Sequence, residues 1–278
     1  MSPISLGYSP CPNDTYIFYG LVHNKIEGAP QFKEVLEDIE TLNTMATNDQ
    51  LDMTKISFHA LGHLRNRYCL LHAGGALGRG CGPLVIAREP LSSEDLADKK
   101  IAIPGKLTTA ALLLRLFNSN IKNLVVLPFH EIMSATQSGE VDAGLIIHES
   151  RFTYPDYGLH KVIDLGEWWE SETGHPIPLG GILARRDLGI ETIQKIDHSL
   201  RASVEFAHNN PNAVKDYIRQ HAQEMDHHVM QQHIDLYVND YTLDYMTDGE
   251  AAITDLYQRA ETANIIPPST QPLFIDQM

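Results

Sequence analysis

Positive charge is scarce in this chain of 278 residues, where 21 lysines and arginines stand against 36 aspartates and glutamates for a formal net charge of −15. A field of that sign repels phosphate backbones and anionic membrane surfaces, which argues against nucleic acid or lipid as partners. An anionic ligand must then be held by local donors. Cysteine is scarce as well: the three present, Cys11, Cys69 and Cys81, are odd in number and scattered, as expected of reduced thiols in a cytoplasm. Long apolar runs are missing. Stretches such as ALLLRLF (111–117) suit a core helix and fall far short of the roughly 20 residues of a membrane span. The opening MSPISLGYSPCP has neither the basic nor the apolar segment of a secretory signal. The expectation is a soluble cytoplasmic protein with ordinary globular composition and enough length for two lobes with real cores.

Several familiar motifs are also incomplete. In PGKLTTA, Leu107 stands where a phosphate loop needs Ser or Thr, and Lys100 replaces its first glycine. Counted from Gly78, the GRGCG run meets Pro83 where a dinucleotide fingerprint needs its last glycine. HALGH spaces His59 and His63 one helical turn apart, but Ala60 occupies the position of a zinc protease's glutamate. HHVMQQH has no i, i+4 histidine pair, and its histidines read as surface or packing residues. No metal and no cofactor are expected.

What is present alternates. PISLGYS reads as a strand, DTYIFYGLVHN as a helix, QFKEVLEDI as a strand, ETLNTMATND as a helix, and MTKISFHAL as a strand running into a helix. The glycine-dense GGALGRGCG reads as a loop. The rhythm restarts with the strand KKIAIPG, the helix LTTAALLLRLFN, the strand NLVVLPF, the helix HEIMSATQSG and the strand VDAGLIIHES. Such alternation predicts an α/β fold with mostly parallel sheets. Beyond Asp187 the pattern is helical, with Ile193, Ile196, Leu200, Val204 and Ala207 forming one apolar stripe. GPLVIAREP (82–90) and GGILARRDL (180–188) echo one another and read as two crossings between lobes. Lobe I would comprise residues 1–90 and 184–278, lobe II residues 91–183, with a ligand cleft between them.

Candidate site residues follow from this layout. His148 falls at or just past the end of the buried strand containing Leu145 to Ile147, the edge where open α/β sheets bind ligands. An imidazole there suits a general base, or serves only to hydrogen-bond a loop. Thr108 and Thr109 begin a helix whose first N–H groups can receive a carboxylate, or they are simply caps. Ser57 ends a first-lobe strand and could face Thr108 across the cleft. In SPCPNDTY, Pro10 and Pro12 stiffen a strand-to-helix turn, and Asn13 or Asp14 could cap a helix starting near Thr15. Trp168 and Trp169 could stack on an aromatic ligand, but packing around a hinge is the expected role.

SPCPNDTYIF, KISFHAL, GRGCGPLV, IPGKLTTA and AGLIIHESRFTY, followed by GHPIPLGG, together resemble the 1,4-dihydroxy-6-naphthoate synthases of the futalosine route to menaquinone. The resemblance implies a two-lobed fold of the periplasmic-binding-protein type (type II) turned to catalysis. It implies substrate contacts at Lys55, Ile56 and Ser57 in one lobe and at Thr109 and Ala110 in the other, with Thr108 adjacent and His148 as catalytic base. The SPCPND turn, with Asn13 and Asp14, would wall the cleft, and Cys11 would be a wall residue and not a nucleophile. The implied reaction converts cyclic dehypoxanthinylfutalosine, a small-molecule carboxylate, to the naphthoate and dihydroxyacetone without a cofactor. The alternatives are a chorismate dehydratase-like enzyme of the same pathway and a non-catalytic cytoplasmic solute-binding or sensor protein. Oligomeric state is not legible.

Overall fold

Strands and helices alternate as the periodicity predicts in a computed structural model that describes residues 2–222 and 226–274. The chain runs β1 (Ile4–Tyr8), α1 (Pro12–Val22), β2 (Phe32–Leu36), α2 (Ile39–Thr47), β3 (Met53–Ser57), α3 (Phe58–Leu64), β4 (Tyr68–Leu70) and β5 (Ala76–Gly78). It continues with β6 (Leu84–Ala87), β7 (Ile101–Ile103), α4 (Thr109–Phe117), β8 (Leu124–Val126), α5 (Ile132–Ser138), β9 (Ala143–Ile146), α6 (Ser150–Thr153), β10 (His160–Asp164) and α7 (Leu165–Thr173). The last part holds β11 (Ile177–Arg185), α8 (Ile190–Asn209), α9 (Pro211–His221), α10 (His227–Tyr237), α11 (Asp240–Leu243) and α12 (Met246–Thr262).

Two sheets result. The first has the order β2-β1-β3-β11-β4, with β5 also on β11; the second has the order β10-β6-β9-β7-β8. Both are mixed, where mostly parallel sheets were expected. β1 runs parallel to β2 and β3, and β7 parallel to β8 and β9, but β11 is antiparallel to β3, β4 and β5, and β6 to β9 and β10. The reason lies in how β6 and β11 are reached. A strand entered from another sheet needs no crossover helix and is not bound to run parallel.

The chain changes sheet twice, but not at the residues expected from the echoing segments. β6, placed in lobe I from sequence, pairs in the second sheet, and most of β11, placed up to residue 183 in lobe II, pairs in the first. The chain changes sheets earlier, between Gly78 and Leu84 and again between Asp164 and Ile177. Part of the expected glycine loop is strand β5. Gly75, just before it, has no room for a side chain, since an added Cβ would lie 2.2 Å from the Tyr245 ring.

The predicted stripe on α8 is buried throughout and packs on α1, together with Leu6, Phe18 and Ile182. A second core holds Phe58 and Leu61 of α3, Leu112 and Leu113 of α4, Leu145 of β9 and Trp169 of α7. This core is continuous from one sheet to the other, so apolar packing closes one side of the inter-sheet space. Trp169 donates its indole N–H to Pro176 O at 3.0 Å, and Trp168 meets Phe117 edge to face, consistent with packing.

Candidate active site

The first-lobe wall starts at the proline turn. Pro12 takes the first helical position, where its missing N–H costs nothing, and Cys11 precedes it in extended conformation (φ −63°, ψ 150°). α1 therefore begins three residues before the expected Thr15, and neither Asn13 nor Asp14 caps it. Their side chains turn into the protein instead. Asp14, 1% exposed, accepts from Lys55 Nζ at 2.8 Å, Ser9 Oγ at 2.7 Å and Asn13 Nδ2 at 3.0 Å. Lys55 reaches it from the middle of β3. The ion pair is almost dry, so its stability depends on this full set of partners.

Ser57, the last residue of β3, is held twice by Asn43 of α2. Its N–H donates to Asn43 Oδ1 at 3.0 Å, and its Oγ accepts from Asn43 Nδ2 at 3.1 Å. With an acceptor site of the oxygen occupied, the hydroxyl proton is oriented for donation elsewhere.

Across the space, α4 presents its N-terminus. Thr108 is the N-cap: its hydroxyl accepts from Ala111 N at 3.2 Å and donates to Gly105 O at 2.9 Å. Thr109 Oγ1 accepts from Phe58 N at 2.9 Å and donates to Leu179 O at 2.5 Å, pinning α4 to the first sheet's elements. Both hydroxyl protons are engaged by protein carbonyls. The groups left to receive an anion at this end are the first-turn backbone N–H groups of Thr109 and Ala110. The seam is tight beside them: the N–H of Leu107 donates to Glu40 Oε1 at 3.2 Å, and an added Cβ on Gly105 would lie 2.3 Å from the Glu40 carboxyl carbon.

His148 lies two residues beyond β9, as its place after the apolar run predicts. Its backbone is left-handed (φ 57°), uncommon for a residue with a Cβ and a form of strain that clusters at functional positions. The ring sits edge to face with Phe129 at 5.2 Å and parallel to His233 at 6.2 Å, with Nδ1 3.5 Å from Cys11 Sγ. Burial lowers its pKa, opposed by the charges of Glu149 and Asp14, so at neutral pH it is an unprotonated imidazole able to take a proton.

These groups meet in one cavity, of empty volume ≈ 690 Å³ counted out to its mouth. Asn13, Asp14, Lys55, Ile56, Ser57, Thr108, Thr109, Ala110 and His148, all singled out from sequence, line it. Lys55 and Asp14 are its only charged lining residues among those described, so a neutral site sits in a strongly acidic chain. Sequence reasoning missed Asn43, which orients Ser57, and His233 and Tyr237 of α10, which also line the cavity. His233, read as surface or packing, is 1% exposed. The signal was available in the spacing of Met230, His233 and Tyr237, which puts all three on one buried face.

Cys11, His148 and Glu149 offer ligand-type atoms within 4.8 Å of one another, a grouping that the sequence expectation of no metal did not foresee. Burial, with the charges of Glu149 and Asp14, pushes the Cys11 thiol well above its ordinary range, and a protonated thiol is a poor metal ligand.

Two sheets with flanking helices, joined by a double crossing and facing one another across a cavity, define the fold of the periplasmic solute-binding proteins. The periplasmic aliphatic sulphonate binding protein SsuA of Escherichia coli shares this fold, with a TM-score of 0.65 at 12% identity over 100% of this chain and 91% of that one. Protein AF1704 of Archaeoglobus fulgidus superposes with a TM-score of 0.90 at 39% identity, covering 95% of this chain and 98% of its own. A family model described as menaquinone biosynthesis matches residues 4–262. A protein of Thermus thermophilus is 49% identical over 275 residues, 99% of this chain and 100% of the relative. One of Streptomyces coelicolor is 48% identical over 269 residues, 95% of each, and both are named 1,4-dihydroxy-6-naphthoate synthase. The chain belongs to the menaquinone biosynthesis family.

Proposed function

We propose that the chain is a carbon–carbon lyase of the cytoplasm that converts cyclic dehypoxanthinylfutalosine to 1,4-dihydroxy-6-naphthoate and dihydroxyacetone, with His148 as general base. The observation that carries this reading is the placement of a neutral imidazole, on strained backbone, in a cavity that also holds unpaired helix N–H groups. The near identity in length with two synthases at almost half identity supports the choice of substrate.

In this reading the substrate carboxylate sits on the N–H groups of Thr109 and Ala110, and Ser57 donates its oriented hydroxyl from the opposite wall. His148 takes the proton of a substrate hydroxyl. The O–H electron pair becomes a carbonyl π bond on the ring carbon, whose later enolisation makes the ring aromatic, and the neighbouring carbon–carbon bond breaks with its electrons passing to a carbonyl of the opened three-carbon arm. The three-carbon fragment leaves as the dihydroxy ketone, and the imidazolium returns its proton as the ring becomes aromatic. Atoms and electrons balance without water or a redox partner. The protein's tasks are to hold the reacting groups in line and to move protons. Lys55 keeps Asp14 compensated and leaves the cavity neutral, so the bound carboxylate meets no net repulsion there.

The test is incubation of the purified chain with cyclic dehypoxanthinylfutalosine, following naphthoate by absorbance and both products by mass. Formation of the two products in equal amounts is the expected result. Saturable binding of the substrate with no turnover would overturn the reading in favour of a sensor, and turnover of chorismate instead would favour the dehydratase.

A further inference from the structure

We propose that His233 is a second ligand-reading side chain of the cavity, an obligate hydrogen-bond acceptor that works with the Glu149 carboxylate to hold hydroxyl groups of the substrate's sugar-derived part. The proposal rests on the lyase reading above and extends it to the part of the cavity lined by α10.

The argument begins with Asn13. Its amide NH2 donates to Asp14 Oδ1 at 3.0 Å, which fixes the amide's orientation and turns its carbonyl oxygen toward His233. That oxygen lies 2.9 Å from His233 Nε2 and can only accept, so Nε2 carries the proton. Burial, and next the charges of His148 and Lys55, hold the His233 pKa well below its ordinary value, so the ring is neutral. A neutral imidazole has one N–H, and that one is engaged. Nδ1 therefore presents a bare lone pair.

Nothing in the protein answers it: Nδ1 is fully buried and without a hydrogen-bond partner among the described residues. Glu149 Oε1, at 3.8 Å, is itself an acceptor. Two acceptors at that separation require a donor between them, and leaving such a buried atom unpaired costs free energy. His233 lines the main cavity and Glu149 the adjoining cleft, and His148 borders both. A polyhydroxylated fragment beside His148 supplies O–H donors to the pair. The chain Lys55–Asp14–Asn13–His233 thereby acts as a rigid relay that sets the tautomer reading the substrate.

Two substitutions separate reading from propping. His233→Gln keeps a donor at the Nε2 position for Asn13 and removes the Nδ1 acceptor; His233→Asn does the reverse. The Gln variant is expected to lose about 10- to 100-fold in kcat/KM, mainly through KM, and the Asn variant to stay within about fivefold of wild type. The reverse order would show that His233 only props Asn13 and would overturn the proposal. ¹⁵N spectra of histidine-labelled protein give a readout independent of turnover. Nδ1 is expected in the unprotonated range, shifting when dihydroxyacetone is added. A protonated Nδ1, or a resonance that does not respond, overturns the proposal even where the wild type proves inactive, an outcome that by itself overturns only the lyase reading.

Discussion

The two walls of the cavity are built in opposite ways. On the first-sheet side the polar groups of the proline turn and of β3 are held in place: Asp14, Lys55, Asn13 and Ser57 are 1–8% exposed and each has at least one hydrogen-bond partner from the protein. On the second-sheet side His148 is only partly buried, sits on left-handed backbone, and has one weak thiol contact at its Nδ1. The first wall is a preorganised frame that needs little rearrangement to receive charge; the second carries the group that must gain and lose a proton. A base needs a lone pair free for substrate, and a frame residue needs all its partners satisfied. The contrast makes a strong demand: changes on one wall should damage the chemistry and on the other the fold.

The largest effect tests the second wall. His148→Ala should lower kcat by about 10²- to 10⁴-fold while the thermal midpoint moves little, because no buried polar partner is stranded. Steady-state kinetics beside a calorimetric scan give both numbers. A variant that keeps its rate would move the base elsewhere and dissolve the contrast.

On the first wall the expected damage is structural. Lys55→Met leaves Asp14 as a buried charge without its counter-ion and should cost about 3–5 kcal/mol of stability by urea denaturation. Adding Asp14→Asn should restore most of it. Full stability in the single variant would mean that the pair is better solvated than its 7% and 2% side-chain exposures indicate.

The seam between the walls gives a pH test. His59 of α3 donates from Nδ1 to Thr108 O at 3.3 Å, and burial lowers its pKa to about 4. The unfolded chain binds this proton near pH 6.5 and the folded one only near 4, so stability is fully present above pH 6.5 and is lost as pH falls through that window. One such group accounts for about 3 kcal/mol. Denaturation midpoints of wild type and His59→Gln between pH 7 and 4.5 should converge toward acid. Parallel curves would show that His59 does not titrate across the seam.

How much of this was legible depended on distance along the chain. His148 and the α4 terminus could be placed because a strand end and a helix start are local events, readable from the apolar run 145–147 and from LTTAALLLRLF. The proline turn was legible as rigid. Its register was not, because Asp14's choice between capping α1 and pairing with Lys55 is decided by a residue 41 positions away. β5 was hidden because a ladder on β11 pairs backbone groups, which glycine also possesses. The antiparallel direction of β6 and β11 follows from how the sheets meet, which no strand pattern encodes. Asn43 and His233 reach the site through partners 14 and 220 residues distant, and only the buried face of α10 hinted at the second.

The smallest expected effect concerns the point where the walls touch. Cys11 Sγ lies 3.5 Å from His148 Nδ1, a separation at which a thiol and an imidazole can form a nucleophile–base pair. Such a pair needs a depressed thiol pKa, and here the surroundings do the opposite. Burial raises the thiol well above its ordinary value, the charges of Glu149 and Asp14 add to the effect, and the opposing cation, Lys55, is engaged by Asp14. Cys11 is then an apolar spacer between the proline turn and the base. Cys11→Ala should leave kcat within about threefold and remove less than about 1.5 kcal/mol of stability, the scale of a small side-chain truncation at a site that can relax. Iodoacetamide should leave the wild type active over hours at pH 7, as expected of a protonated, 7% exposed thiol. Rapid inactivation that the alanine variant escapes, or loss of kcat on the scale of His148→Ala, would instead make the contact catalytic. It would also put part of the proton-moving machinery on the wall assigned here to the frame.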